Sequence, residues 1–418
     1  MLDLAPPPSV VSTRERVRAF MDEHVYPAEL EAMRALDEEV GPGTPYPDLV
    51  VEIRDRAKAE GLWNLFMPDE RYGAGLSNAE YGLLCEEMGR SPGLAPMAFN
   101  CSAPDTGNME ILAEHGTDGQ RERWLSPLLE GEIRSCFSMT EPEVSGSDPT
   151  TLRTAAVREG DDWVIDGHKW FTSGAVGAEV AIVMCVTDPD AHPYARASMI
   201  LVPTDNPGFD LVRPVSVMGH SGGPGHCEIR YESCRVPADS LLGPQGAGFA
   251  IAQDRLGPGR IHHCMRAIGT AERAIEMMCR RASERESFGE KLADKQFVQD
   301  FIAKSRMEVD QARLLTLLAA WKMDTAGKRA ARQEISMIKV VAANVVMDVL
   351  DRAIQVHGAL GMSDDTPLAG MWRFSRMLKV ADGPDEVHKM VIARRELNRS
   401  AKRLQGDGVE AEPVAAKA

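Results

Sequence analysis

A single acid stands in Ala381-Asp382-Gly383-Pro384, just ahead of Asp385-Glu386-Val387-His388. An acid followed by Gly-Pro marks a loop before a helix whose first turn is acidic. Asp382 is therefore either a helix cap or a carboxylate placed to take a proton from a substrate. Two upstream segments carry different chemistry. Cys136-Phe137-Ser138-Met139-Thr140-Glu141-Pro142, followed by Ser145-Gly146-Ser147-Asp148, is rich in hydroxyls and turn formers. Its free backbone N–H groups suit the edge of a planar cofactor or a phosphate. The same composition also serves a plain strand-to-loop transition. Lys169-Trp170-Phe171-Thr172-Ser173-Gly174 offers an indole for stacking and a hydroxyl for a ring heteroatom. Two core aromatics of a β domain read the same way.

Two downstream segments complete the set. In Arg285-Glu286-Ser287-Phe288-Gly289, with Gln296 beyond, an arginine before a turn can grip a pyrophosphate and a phenylalanine can pack on a purine. A basic helix end with a glycine turn is the plainer reading. In Gln355-Val356-His357-Gly358-Ala359-Leu360-Gly361, two glycines let another chain's cofactor approach the backbone. A helix stop with its loop reads alike. His262-His263 lacks partners at metal-ligand spacing and reads as packing or surface, so no metal is expected. Glu141 and Glu386 read as structural.

These residues must be held by elements that change character along the chain. Residues 1–133 read as helical. Val17, Phe20, Met21 and Val25 keep helical spacing until Pro27 interrupts, and GPGTPYP (41–47) is a loop. Helical signals resume at Leu49–Leu62, near Asn78–Met88, and through 108–129. From 134 the pattern turns to short strands. Residues 161–174 read as a hairpin turning at Asp166-Gly167, and 181–186, 197–202 and 226–236 are further strands of a compact β domain. From Gly248 the helical period dominates to about 400. One stripe is Ile261, Met265, Ile268, Ile275 and Met278, another Leu314, Leu315, Leu318 and Trp321, and a third the long run from Ile335 to Ile354. The tail, 404–418, reads as disordered.

Composition closes other routes. The chain has 418 residues with 47 basic and 63 acidic groups, a net charge of −16. That excess argues against a protein that coats nucleic acid. It is uneven: −14 over 1–133, −7 over 134–242 and +5 over 243–418. None of the 8 cysteines forms a C-x-x-C pair, which argues against zinc ribbons and dithiol redox motifs. No secretory signal and no apolar run of about 18 residues is present, so a cytoplasmic protein without membrane insertion is expected.

The order and spacing of these segments resemble the acyl-CoA dehydrogenase family of flavoenzymes over about residues 10–400. The match carries P-D-E-R-Y-G-A-G-L-S, C-F-S-M-T-E-P, C-E-I-R-Y-E-S-C-R-V-P, R-E-S-F-G, Q-V-H-G-A-L-G and A-D-G-P-D-E-V-H in family order. The run Gly257-Pro258-Gly259-Arg260-Ile261-His262-His263 resembles most the subgroup of family members ten and eleven. In those larger proteins a kinase-like domain precedes the dehydrogenase, and this chain corresponds to the dehydrogenase part. The resemblance implies an α+β fold with a helical domain (1–133), a β-barrel or sandwich domain (134–242) and a C-terminal four-helix bundle (243–403).

It also implies a cofactor, FAD, lying between the β domain and the bundle. Carried over by motif, Phe137, Met139, Thr140, Trp170 and Thr172 would hold the isoalloxazine, and Ser147 would lie near the pyrophosphate and the CoA arm. Arg285, Phe288 and Gln296 would hold the pyrophosphate and adenosine, with Gln355, Gly358 and Ala359 of a second chain. A homodimer or homotetramer follows. Arg260 and Gly383 would meet the substrate, an acyl-CoA whose chain runs near Phe99, Asn100 and Ala103. Asp382 takes the place of the family's glutamate base, one methylene shorter, and Pro384 replaces a threonine. The implied reaction is α,β-dehydrogenation to trans-2-enoyl-CoA, with an electron-transfer flavoprotein as acceptor. An aspartate base also suits a flavin oxidase of the same superfamily, nitroalkane oxidase-like or acyl-CoA oxidase-like. A flavin-free acyl-CoA-binding protein is the third reading.

Overall fold

The computed structural model describes residues 5–40, 46–220 and 223–406. Of the loop expected at 41–47, residues 41–45 lie outside the described residues. The tail expected from 404 begins as helix, because the last helix runs Asp385–Gly406, and 407–418 lie outside the described residues. The chain divides into two units. One holds Ser12–Ser77 and Ser91–Gly259, and the other Asn78–Arg90, Arg260 onward and the start of the chain through Val11.

The expected helices begin the chain. Helix α1 (Pro8–Phe20), a π turn (Met21–Val25) and α2 (Tyr26–Glu39) follow without a gap. Val17, Phe20, Met21 and Val25 are all buried, as their spacing requires. Pro27 does not break the helix. It sits in the first turn of α2, where its missing N–H costs least, behind a wide π turn. Helices α3 (Asp48–Ala59), α4 (Asn78–Gly89) and α5 (Asp105–His115) follow.

Eight strands make one sheet: β1 (Ser135–Ser138), β2 (Ala155–Glu159), β3 (Asp162–Ser173), β4 (Val180–Val186), β5 (Ala197–Pro203), β6 (Phe209–Pro214), β7 (His226–Pro237) and β8 (Leu241–Leu242). Their order is β6-β7-β3-β1-β4-β5-β8, with β2 pairing β3 and β4. Cys136, Ile165, Val183, Ile200, Ile229, Tyr231 and Val236 lie in its core. The hairpin expected at Asp166-Gly167 does not form. β3 is one continuous strand, and the turn lies at Gly160-Asp161, where Gly160 has φ +60° and Glu159 pairs Asp162. At Asp166-Gly167 the register slips by one residue, and the Asp166 carboxylate accepts the Ser233 N–H at 2.7 Å. An Asp-Gly pair thus makes a bulge, not a turn.

Helices α6 (Gly248–Glu284), α7 (Gln296–Ala326), α8 (Lys328–His357) and α10 (Asp385–Gly406) are the long helices of the C-terminal bundle, with short α9 (Leu368–Arg376) between. Ile261, Cys264, Ala320, Met323, Ile335, Ile338 and Ala342 form a core. On α7 the expected stripe is displaced: Leu314 is 56% exposed, while Ala312, Thr316, Ala319 and Ala320 are buried. Small residues face inward because they let helices approach closely. The same device serves Gly269, where an added Cβ would lie 1.8 Å from the Glu86 carbonyl oxygen.

Candidate active site

In the β-containing unit, the cofactor segments are fixed from behind. The Ser135 N–H and hydroxyl both donate to Asp105 Oδ1, at 2.7 and 2.6 Å, which anchors the start of β1. Past β1, the Lys169 ammonium donates to the Met139 carbonyl at 2.8 Å and to Glu141 Oε1 at 2.9 Å. Glu141 also accepts the backbone N–H groups of Arg153 and Thr154, at 2.7 and 2.8 Å. Both members of this pair are buried. Burial pushes the Lys169 pKa down against the pull of Glu141, while Lys169 and the Thr154 bond hold the Glu141 carboxyl low despite its own burial.

In front of that support, Trp170 N–H donates to the Thr140 carbonyl at 3.0 Å, which joins the two motif segments. Phe137, Met139, Thr140 and Trp170 are half-buried, and Trp170 packs edge-on against Phe171. Thr172 differs. It is fully buried and its hydroxyl lies 3.1 Å from that of Ser138, which also accepts from Tyr231. Ser147 is exposed, 2.8 Å from the Ser145 hydroxyl. Sequence reasoning missed Arg255, whose guanidinium lies 4.2 Å over the Phe137 ring and whose Nε donates to Asn108 at 3.2 Å.

In the bundle unit, Asp382 occupies a turn with φ +55°, a conformation sparsely used by non-glycine residues. Three cationic or imidazole side chains grip its backbone. Arg260 Nε donates to the Asp382 carbonyl at 3.0 Å, and His388 Nε2 lies 3.2 Å from the same oxygen. Lys339 donates to the carbonyls of Leu378 and Ala381, at 2.7 and 2.8 Å. The carboxylate itself is half-buried and faces His263, with Nε2 3.8 Å from Oδ2. Gly383 follows with φ +98°, and an added Cβ there would lie 2.9 Å from His388 Nε2. Burial lowers the pKa values of Arg260 and Lys339, and it pushes His388 down to about 4. His388 is therefore a neutral donor at neutral pH.

The remaining site residues lie on the surface of this unit. Arg285, Phe288, Gln296, Gln355, Gly358 and Ala359 are all exposed. Phe288 is 99% exposed on a tight turn, with φ +55° there and +80° at Gly289. The Arg285 guanidinium has no hydrogen-bond partner among the described residues, and neither has the Thr140 hydroxyl. These residues fit FAD. An unpaired guanidinium suits a pyrophosphate, and a half-buried indole beside an unpaired hydroxyl suits a planar ring with a polar edge. His263 was the partner that sequence reasoning set aside. Its pairing spans 119 positions (382 − 263) and leaves no local signal.

Models of the acyl-CoA dehydrogenase N-terminal, middle and C-terminal domains match residues 9–132, 136–234 and 246–397. The chain is 52% identical over 404 residues to "Probable acyl-CoA dehydrogenase FadE2" of Mycobacterium tuberculosis, covering 95% of this chain and 98% of that one. It is 49% identical to "Acyl-CoA dehydrogenase family member 11" of Gallus gallus, over 93% of this chain but only 50% of that longer protein. A solved acyl-CoA dehydrogenase-type structure from Mycobacterium abscessus superimposes with a TM-score of 0.91 at 47% identity, over 95% of this chain and 100% of the other. The chain belongs to the acyl-CoA dehydrogenase family.

Proposed function

We propose that this enzyme converts a saturated acyl-CoA to the trans-2-enoyl-CoA, with Asp382 as the base that removes the α proton. Acyl-CoA dehydrogenases are FAD-dependent, and Phe137, Met139, Thr140, Ser147, Trp170, Thr172, Arg285, Phe288, Gln296, Gln355, Gly358 and Ala359 would hold that cofactor here. The chemistry supplied by bound FAD is acceptance of the hydride that leaves the β carbon. The work of this chain is proton abstraction. An α proton of a thioester is weakly acidic, so a base must be held at fixed distance and angle. The observation that carries the reading is the grip on Asp382. Arg260, Lys339 and His388 fix the carbonyls of residues 381 and 382, and the carboxylate that this turn carries faces His263.

A shorter side chain than glutamate makes that fixing more demanding, since a misplacement of about 1 Å can cost roughly a hundredfold in rate. A bound acyl chain would strip water from Asp382 and raise its basicity. Arg260 and Gly383 belong to the substrate side of the same turn. The exposed Phe288 supports a covering second chain, hence a homodimer or homotetramer. An electron-transfer flavoprotein is the proposed acceptor and the cytoplasm the proposed compartment. Among the described residues no helix is long and apolar enough to cross a membrane. The proposed domain limits remain 1–133, 134–242 and 243–403.

The test is anaerobic. FAD-loaded enzyme is mixed with short, medium and long saturated acyl-CoAs and, separately, with nitroalkanes. Loss of flavin absorbance with matching enoyl-CoA formation is expected for one class of thioester. Bleaching by nitroalkanes alone would move the chain to the oxidase reading, and a colourless protein unable to take up FAD would make it a binding protein.

A further inference from the structure

Two histidines flank Asp382, and they do different work. His388 is buried, and its Nε2 lies on the Asp382 backbone carbonyl. Burial holds it neutral, so it is part of the clamp. His263 is on α6, and its Nε2 faces the other end of the residue, 3.8 Å from carboxylate Oδ2. The two side chains keep 19% and 25% of their surface accessible, so the pair is shielded while each member still reaches solvent.

We infer that His263 is a positioning and relay residue for the base: it receives from Asp382 Oδ2 the proton taken from the substrate and passes it to solvent. This inference rests on the reading of Asp382 as base. The step balances without any other reagent. The substrate Cα–H bond breaks, its electron pair stays on the substrate, and an O–H bond forms at Asp382. That O–H then breaks as an N–H bond forms at His263 Nε2, in the tautomer that carries its hydrogen on Nδ1. The result is an aspartate–imidazolium pair in place of two neutral groups.

The surroundings favour this direction. Arg260 and Lys339 act electrostatically on Asp382, and Cys264, Arg332, Asp385 and His388 are further titratable or charged groups near the turn. On the His263 side lies His262, which burial, with Arg266 nearby, keeps neutral. Two cations beside a carboxyl make its neutral form a ready donor. A 3.8 Å separation closes to hydrogen-bond length with a small side-chain rotation, and catalytic contacts are commonly long before substrate binds. The pairing also answers a difficulty of the site. A substrate lying over Asp382 covers its solvent-facing side, and His263 then supplies the exit.

The experiment compares H263A, H263N and D382N with the parent, all FAD-loaded. Both His263 variants should keep FAD and their melting temperature. They should lose about a hundredfold in kcat with KM little changed. Added imidazole should restore H263A in proportion to its neutral form. D382N should be inactive and should not respond to imidazole, and H263A/D382N should be no worse than D382N alone. A second readout needs no turnover. Followed by NMR without substrate, the His263 imidazole should titrate at lower pH in D382N, because the neighbouring negative charge is gone. Parent-like turnover of H263A and H263N, or an unchanged His263 titration in D382N, overturns the relay while leaving Asp382 as base. Retained turnover in D382N instead overturns the base itself.

Discussion

Two fully buried lysines support the two halves of the chemistry, and they are built differently. Lys169, in the β domain, is bound to a carboxylate, Glu141, and to the Met139 carbonyl. Lys339, in the bundle, donates to two backbone carbonyls, those of Leu378 and Ala381. The first is a closed ion pair whose charges satisfy each other and which also ties down the backbone behind Thr140. The second leaves its charge to act on the neighbouring turn, where Asp382 sits. A cofactor platform needs only a rigid support, whereas a base needs support and a nearby cation that keeps its carboxyl ionised, ready to take a proton. The difference suggests that each buried cation should fail in its own way when removed.

The largest effect should come from Lys169→Met. It leaves Glu141 buried without its counter-charge, and breaking one side of a buried pair costs about 3–5 kcal/mol. A fall in the denaturation midpoint, with poor FAD retention, is expected. The double change Lys169→Met with Glu141→Leu should recover most of that stability, and failure to recover it would mean the pair is more than a closed support. Lys339→Met should behave otherwise. It removes a donor from the Leu378 and Ala381 carbonyls but strands no buried counter-charge, so its main expression should be kinetic, with kcat reduced about a hundredfold through a loosened Asp382. Equal losses in both variants, read by melting and by turnover, would erase the distinction.

A smaller effect concerns pH. His388 has a folded pKa of about 4, below its ordinary 6.5. Between those values the unfolded chain binds the extra proton and the native one does not. Stability therefore falls as pH drops from about 6.5 towards 4, with no further loss from this group below that. His388→Gln should flatten that part of the stability curve, as followed by denaturant midpoints at a series of pH values. An unaltered slope would exclude His388 as its source. The smallest effect on the folded protomer should come from Phe288→Ser. Its ring is already exposed, so melting at low concentration should hardly change, while the assembly should shift towards smaller species in sedimentation.

The comparison also explains what could be read from the chain. The order of helical, strand and helical regions was legible because it rests on periodicity, and Val17, Phe20, Met21 and Val25 are buried as their spacing requires. Local punctuation misled where tertiary contacts decided. Asp166-Gly167 reads as a turn, yet β7 runs alongside and the Ser233 N–H draws the Asp166 carboxylate into a bulge. Leu314 reads as core, yet alanines and a threonine take the inner face of α7. At the site, Asp382 was visible because Gly-Pro follows it. Its clamp was not, because Arg260 reaches the Asp382 carbonyl from 122 positions away and Lys339 the Ala381 carbonyl from 42. His263 was hidden for the same reason and because a His-His pair has no chemistry of its own.

The central claim is that Asp382 removes the α proton, and its most direct test is a single turnover. D382N, loaded with FAD, is mixed anaerobically with the acyl-CoA that bleaches the parent fastest, and flavin absorbance is followed. The prediction is normal FAD content and melting temperature with bleaching slowed about a thousandfold or more. Bleaching at the parent rate would contradict it.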